Sequence, residues 1–126
     1  MIALLDFDTA TGILLVYQTG QRTEDDAGND EAMLEDKVRE VSPRAFLYVM
    51  DHAQWDVSEA TWMRLLTNGA DLVGSKPVAM VMPVGFPDEQ MAMFSKVVAA
   101  REINLQVFPD EEAARTWLIG QTALRG

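Results

Sequence analysis

The sequence predicts an α/β fold: one mixed β-sheet with an N-terminal hairpin and four helices packed mainly on one face. Three observations carry this. Apolar runs at residues 2–7 and 13–17 are joined by Thr9-Ala10-Thr11-Gly12, and so short a link makes the two strands an antiparallel hairpin. From residue 31 onward, helical and strand patterns alternate. Val78-Ala79-Met80-Val81-Met82 is apolar throughout, which is the composition of a strand buried inside a sheet.

Each element follows from its local pattern. Residues 20–30 are polar and acidic and carry Gly28, so they read as a mobile loop. Residues 31–41 put Leu34, Val38 and Val41 at helical spacing, with Glu35, Asp36, Lys37 and Glu40 outward. Ser42-Pro43 stops this helix, because proline disfavours helical geometry in the residue before it. Ala45-Phe46-Leu47-Tyr48-Val49-Met50 is the third strand. A second helix starts at Ser58, carries Ala60, Met63, Leu66, Ala70 and Val73 on one stripe, and ends near Gly74. Pro83 and Pro87 bracket the loop after the fourth strand. Asp88 is placed to cap a helix that turns Met91, Phe94 and Val98 inward. Residues 103–108 form the last strand, and Pro109-Asp110-Glu111-Glu112 opens a final helix. Carboxylates in its first turn complement the helix dipole, and Ala114, Trp117 and Leu118 form its apolar face. The order is β-β-α-β-α-β-α-β-α, and right-handed crossovers make the later strands parallel. Residues 1–126 therefore read as one domain without internal repeats.

Composition narrows the function classes. Hydrophobic residues make up 48% of the chain, enough for a folded core. Without cysteine there are no disulfides, thiolate metal sites or cysteine nucleophiles. The start, Met1-Ile2-Ala3-Leu4-Leu5-Asp6, lacks the basic region of a signal peptide, and no apolar run is long enough for membrane insertion, so a cytoplasmic protein is expected. A formal net charge of −10 repels nucleic acid and anionic membrane surfaces and favours partners with basic patches.

Catalytic constellations are weak. Asp6-Phe7-Asp8 resembles the paired aspartates of haloacid-dehalogenase phosphatases, but Ala10 stands where that motif needs threonine or valine. Asp51, after the third strand, matches the phosphoacceptor position of receiver domains, but the hairpin replaces their first helix and Phe108-Pro109 stands where their lysine belongs. His52 is the sole histidine and reads as a loop residue bonding locally. Gly-x-Ser-x-Gly and glycine-rich phosphate loops are absent. The expectation is a protein that is not an enzyme and carries no catalytic residue, metal site or cofactor. Trp55, Trp62 and Met63 gather around the third-strand-to-helix junction, either as a minor hydrophobic cluster or as a contact surface for a partner or an apolar ligand. Ser58 begins the second helix just past a buried strand; it reads as an N-cap first and as a phosphorylation site second.

The element order, the strand leading to Asp56-Val57-Ser58, the helix closure Leu72-Val73-Gly74, the spacing from Asp56 to Gly74 and the ending Val107-Phe108-Pro109-Asp110-Glu111-Glu112-Ala113-Ala114 together resemble a STAS domain of the SpoIIAA-like type. The resemblance covers nearly the whole chain. It implies a non-catalytic regulatory module of the bacterial anti-sigma-factor antagonist type, binding an anti-sigma-factor or kinase-like protein partner. In such antagonists the motif reads Asp-Ser-Ser-Gly-Leu and its second serine is phosphorylated; that serine falls on Ser58. In the stressosome branch the modified residue falls on Val57, which cannot be phosphorylated, and Glu59-Ala60 replaces Gly-Leu. The switch is therefore altered or lost. The resemblance implies a binding face of Trp55, Asp56, Ser58 and Trp62. The fold also resembles lipid-carrier domains, so the alternative is a carrier or sensor of an apolar, lipid-like molecule. An exposed edge strand from the hairpin could support a homodimer.

Overall fold

The computed structural model describes residues 3–125. In chain order these form β1 (Ala3–Asp8), β2 (Ile13–Gln18), β3 (Gly20–Arg22), α1 (Glu24–Val41), β4 (Ala45–Val49), β5 (Ala53–Trp55), α2 (Glu59–Val73), β6 (Val78–Val81), α3 (Asp88–Ala100), β7 (Leu105–Val107) and α4 (Glu111–Arg125). Five strands make one mixed sheet in the order β1-β2-β4-β6-β7. The hairpin is antiparallel, from Ala3↔Gln18 to Asp8↔Ile13. The remaining pairs are parallel, with Ile13 opposite Ala45, Phe46 opposite Val78 and Val78 opposite Leu105. The turn depends on Gly12, which has φ +76° and whose missing Cβ would lie 2.8 Å from the Arg44 side chain. Close approach lets the Gly12 carbonyl accept from Arg44 N at 2.7 Å, which ties the hairpin to the start of β4.

The three central strands are apolar on both faces because both faces are covered. On one face, Ile13, Leu47, Val49 and Val81 pack against Ala114 and Leu118 of α4. On the other, Leu14, Val16, Phe46 and Val78 meet α1 through Leu34 and Val38 and the end of α2 through Val73. α4 thus has one face to itself, and α1, α2 and α3 share the other. This is the expected mixed sheet, with its N-terminal hairpin and with helices mainly on one side.

Residues 20–30 are not a mobile loop. Gly20–Arg22 pairs in parallel with Ala53–Trp55 as a small second sheet, and α1 begins at Glu24 rather than at residue 31. A capping box starts it: Thr23 Oγ1 accepts from Asp26 N at 3.4 Å, and the Asp26 carboxylate accepts from Thr23 N at 3.0 Å. Three carboxylates in the first turn complement the dipole. The apolar pattern is hidden here because Asp30 occupies an inward position. It accepts from Gln18 Nε2 at 3.1 Å and from Arg22 Nε at 3.1 Å, and forms an ion pair with Arg22, whose side chain is 1% exposed.

The expected stripe on α2 holds at Leu66, Ala70 and Val73 but differs at the helix's N-terminal end. Ala60 and Met63 are exposed, while Trp62, Ala70 and Val73 are buried, since the indole has far more apolar area to hide than Met63. Asp88 lies in the first turn of α3 instead of capping it; Pro87 is the N-cap and makes no side-chain bond.

Removing one member of the Arg22–Asp30 pair strands a buried charge. Arg22→Met is expected to cost about 3–5 kcal/mol in urea unfolding, and Arg22→Met with Asp30→Leu to cost much less. Equal losses in both variants would show that the charge pair is not what holds this corner.

Candidate functional site

Two sites adjoin α2, an exposed polar corner at its start and an apolar cavity, partly open, beneath it. The corner is made where the small sheet delivers the chain to α2. Asp56 N donates to the Arg22 carbonyl at 2.8 Å, which extends the β3–β5 pairing up to the helix start. Ser58 then caps α2 with its hydroxyl accepting from Thr61 N at 3.1 Å. Glu24, at the start of α1, reaches across: one carboxylate oxygen accepts from Ser58 N at 2.6 Å and the other from the Thr61 hydroxyl. Thr61 first and the Ser58 backbone second hold the Glu24 carboxyl below its ordinary value of 4.5.

The groove at this corner is lined by Thr23, Glu24, Asp25, Asp56, Val57 and Ser58. A phosphate on Ser58 would stand among three carboxylates, and the lining residues include no Lys or Arg to receive it. The hydroxyl caps the helix and is exposed; the groove does not favour a further anion.

The cavity lies between the sheet and the three helices that share its face, with a volume of about 150 Å³. Val16, Tyr48 and Met80 form its floor, with Leu34, Leu66 and Val98 from the three helices around it. α2 brings the small residues Gly69 and Ala70 to the cavity wall, and polar contacts fasten the helix at its edges. Glu31 of α1 accepts from Asn68 Nδ2 at 3.0 Å and pairs with Arg64. Asp71 pairs with Arg101 just past α3. Glu24 adds the clamp at the N-terminal end.

Polar groups in the cavity wall are few. The charged ones are carboxylates, Asp30, Glu31 and Glu35, without a Lys or Arg among the lining residues. Tyr48 is half-buried and lines the cavity; burial pushes its hydroxyl well above the usual phenol range, so it stays a neutral phenol. Trp55 and Trp62 line the wall with ring centroids 6.2 Å apart, and Phe86 packs on Trp62 at 5.4 Å. The Nε1 atoms of both tryptophans are buried and have no hydrogen-bond partner.

The four predicted site residues therefore divide. Asp56 and Ser58 are exposed at the corner. Trp62 is only 6% exposed and Trp55 is half-buried, and both indoles belong to the cavity wall rather than to one outward face with Asp56 and Ser58. Asp8 accepts from Ala10 N at 2.9 Å within the hairpin turn. That turn lies beside the start of β4, whereas Asp51 follows its end, so Asp8 and Asp51 stand at opposite ends of the sheet and form no acidic pocket. His52 is exposed and lies 3.6 Å from Asp51. Sequence reasoning missed Glu24, Glu31 and Tyr48; the spacing Thr23-x-x-Asp26 was the signal that would have placed Glu24 at a helix start.

No protein-family model and no curated protein matches the sequence. Solved structures do match the fold. The anti-sigma factor antagonist SpoIIAA in its unphosphorylated form superposes with a TM-score of 0.64 over 99% of both chains, at 7% identity. An uncharacterised protein of the DUF3478 family with a SpoIIAA-like fold, from Shewanella loihica PV-4, gives 0.64 at 16% identity over 93% of this chain and 92% of its own. The Bacillus cell fate determinant SpoIIAA in its phosphorylated form gives 0.56 at 8% identity over 92% and 99%. The chain thus has the STAS-type, SpoIIAA-like fold. Among the described residues, no helix is long and apolar enough to cross a membrane and no cluster of His, Asp and Glu could hold a metal.

Ser58→Ala is expected to lower stability by about 1 kcal/mol, the worth of a helix cap, as read by chemical denaturation. The lowered carboxyl of Glu24 stabilises the fold above pH 4.5, and that stabilisation is lost as pH falls through its folded value. Glu24→Gln should therefore flatten the acid limb of the stability profile; an unchanged limb would remove Glu24 from the clamp.

Proposed function

We propose that this protein is a non-catalytic binding module on a STAS-type fold, and that it carries or senses an apolar small molecule held beneath α2. The observation that supports this most directly is the cavity of about 150 Å³, walled by aliphatic and aromatic side chains of the sheet and three helices. Cores normally close such voids, because unfilled apolar space costs stability. Here the helix over the space is fastened by ion pairs and hydrogen bonds at its rim, an arrangement that leaves the centre free for a guest.

The exposed corner supports a second reading, contact with a protein partner in the manner of an anti-sigma-factor antagonist. Asp56 and Ser58 sit at the start of α2 and are exposed. Carboxylates surround them, so the partner surface that suits this corner is basic. Contact would operate without phosphate on Ser58. The two readings join in α2, which roofs the cavity and presents the corner: a guest that shifts α2 changes what the partner meets. The strongly acidic chain, with a net charge of −10, does not suit nucleic acid.

Toluene tests the carrier reading. Saturating toluene should raise Tm, because a ligand bound only to the folded state stabilises it. Ala70→Phe, which fills the cavity from α2, should abolish the rise. No rise in the unaltered protein would sink the carrier reading. Incubation with serine kinases is expected to leave the mass at Ser58 unchanged; stoichiometric phosphoserine there would restore the phospho-switch.

A further inference from the structure

We infer that the cavity opens between α1 and α2 and takes a small amphiphilic cation, with its apolar body beneath α2 and its ammonium group at Glu35 in the mouth; this rests on the carrier reading above. Size comes first. An apolar cavity of about 150 Å³ holds a body near the size of benzene, roughly six heavy atoms. A longer guest leaves part of itself at the opening.

The way α1 and α2 are fastened sets where that opening lies. The two helices run side by side in the same direction: Glu24 reaches Thr61, and further along Glu31 reaches Arg64 and Asn68. Beyond Asn68, among the described residues, no hydrogen bond or ion pair joins α1 to α2. The cavity is lined there by Leu34 and Glu35 from α1 and by Leu72 from α2. Glu35 stands one turn past Glu31 and Leu72 one turn past Asn68, so both keep to the facing sides of their helices. Of the lining residues, Glu35 and Asn68 alone are exposed; the others, those of α3 included, are buried or half-buried. The cavity therefore meets solvent along the seam between α1 and α2.

Charge decides the head group. The charged residues of the wall are Asp30, Glu31 and Glu35, with no Lys or Arg among them. Asp30 is bound by Arg22 and Gln18, and Glu31 by Arg64 and Asn68. Glu35 makes no hydrogen bond or ion pair among the described residues, and the cations near it in α1 are committed elsewhere, Arg39 to Asp36 and Lys37 to Glu40. The one uncommitted carboxylate of the wall is thus the one at the mouth. An anionic head group would meet like charge there. An ammonium meets a counter-charge while it stays hydrated, and so escapes the cost of burying a charge. The net charge of −10 also draws cations to the surface.

The test uses 3-phenylpropylamine, 3-phenylpropanol and 3-phenylpropanoate, which share one ring and one arm and differ in the charge of the head group. Affinities are read by NMR titration at low ionic strength. The amine should bind about two- to fivefold more tightly than the alcohol, the range of one solvent-exposed charge pair, and the carboxylate most weakly. Added salt should shrink the amine's advantage. Glu35→Gln should remove it and leave the alcohol unchanged, whereas Glu112→Gln, the same charge change at an exposed site on α4, should leave it in place. Ala70→Phe should abolish binding of all three. The amine and alcohol are compared in the unaltered protein, so that comparison decides the matter even if a variant fails to fold. Equal affinity of amine and alcohol, tightest binding by the carboxylate, an amine advantage that survives Glu35→Gln, or amine binding that persists in Ala70→Phe overturns this inference and leaves the carrier reading standing. So does failure of all three to bind while toluene still raises Tm. Failure of all three together with no toluene stabilisation overturns the carrier reading itself.

Discussion

The buried pair of Arg22 and Asp30 holds both sites in place. A guanidinium with 1% of its surface exposed must have a counter-charge, and Asp30 supplies it from one turn further along α1 than the capping box. The pair therefore fixes the N-terminal half of α1 against β3. β3 pairs with β5, and the Arg22 carbonyl receives Asp56 N, so the same residue sets where the chain enters α2. Ser58 and Glu24 can meet only because these two segments are already registered. Asp30 in turn stands in the cavity wall. One buried charge pair thus links the exposed corner to the apolar cavity.

The two faces of the sheet solve their packing differently. On the α4 side, Ala45, Leu47 and Ala79 meet Ala114 and Leu118 at 0% exposure, and Phe108 packs at a tilt on Trp117 with centroids 5.6 Å apart. This is an ordinary close-packed core. On the other side three helices must cover one face, and the middle one approaches through Gly69 and Ala70. α2 is held by the buried Trp62, Ala70 and Val73 and by polar contacts at its edges, where Glu24, Glu31 and Asp71 each bind across to or from a neighbouring helix or its end. Surface ion pairs of this kind contribute little individually.

Much of this was legible in the chain. The hairpin, the central apolar strands, the Ser58 cap, the Gly74 helix stop and the apolar face of α4 all follow from local rules about turns, periodicity and capping. The start of α1 was not seen, because Asp30 interrupts the inward stripe and a helix whose buried face contains a carboxylate does not look amphipathic. β3 and β5 were not seen, because three-residue strands carry too little pattern and exist through pairing with each other. The α2 stripe holds at Ala70 and Val73 but not in the first turns, because periodicity alone does not say which of Trp62 and Met63 takes the inward position.

The sequence by itself determined the α/β order, the SpoIIAA-like fold and the position of Ser58 at a helix start, since these depend on residues close to one another in the chain. Only the tertiary structure decided that Asp56 and Ser58 lie outside while Trp55 and Trp62 line a cavity inside. It also decided that Glu24, Glu31 and Arg22 complete these sites. Each of those relations joins residues from different elements. Which side chains share a surface is set by how helices seat on a sheet, and no local spacing encodes that.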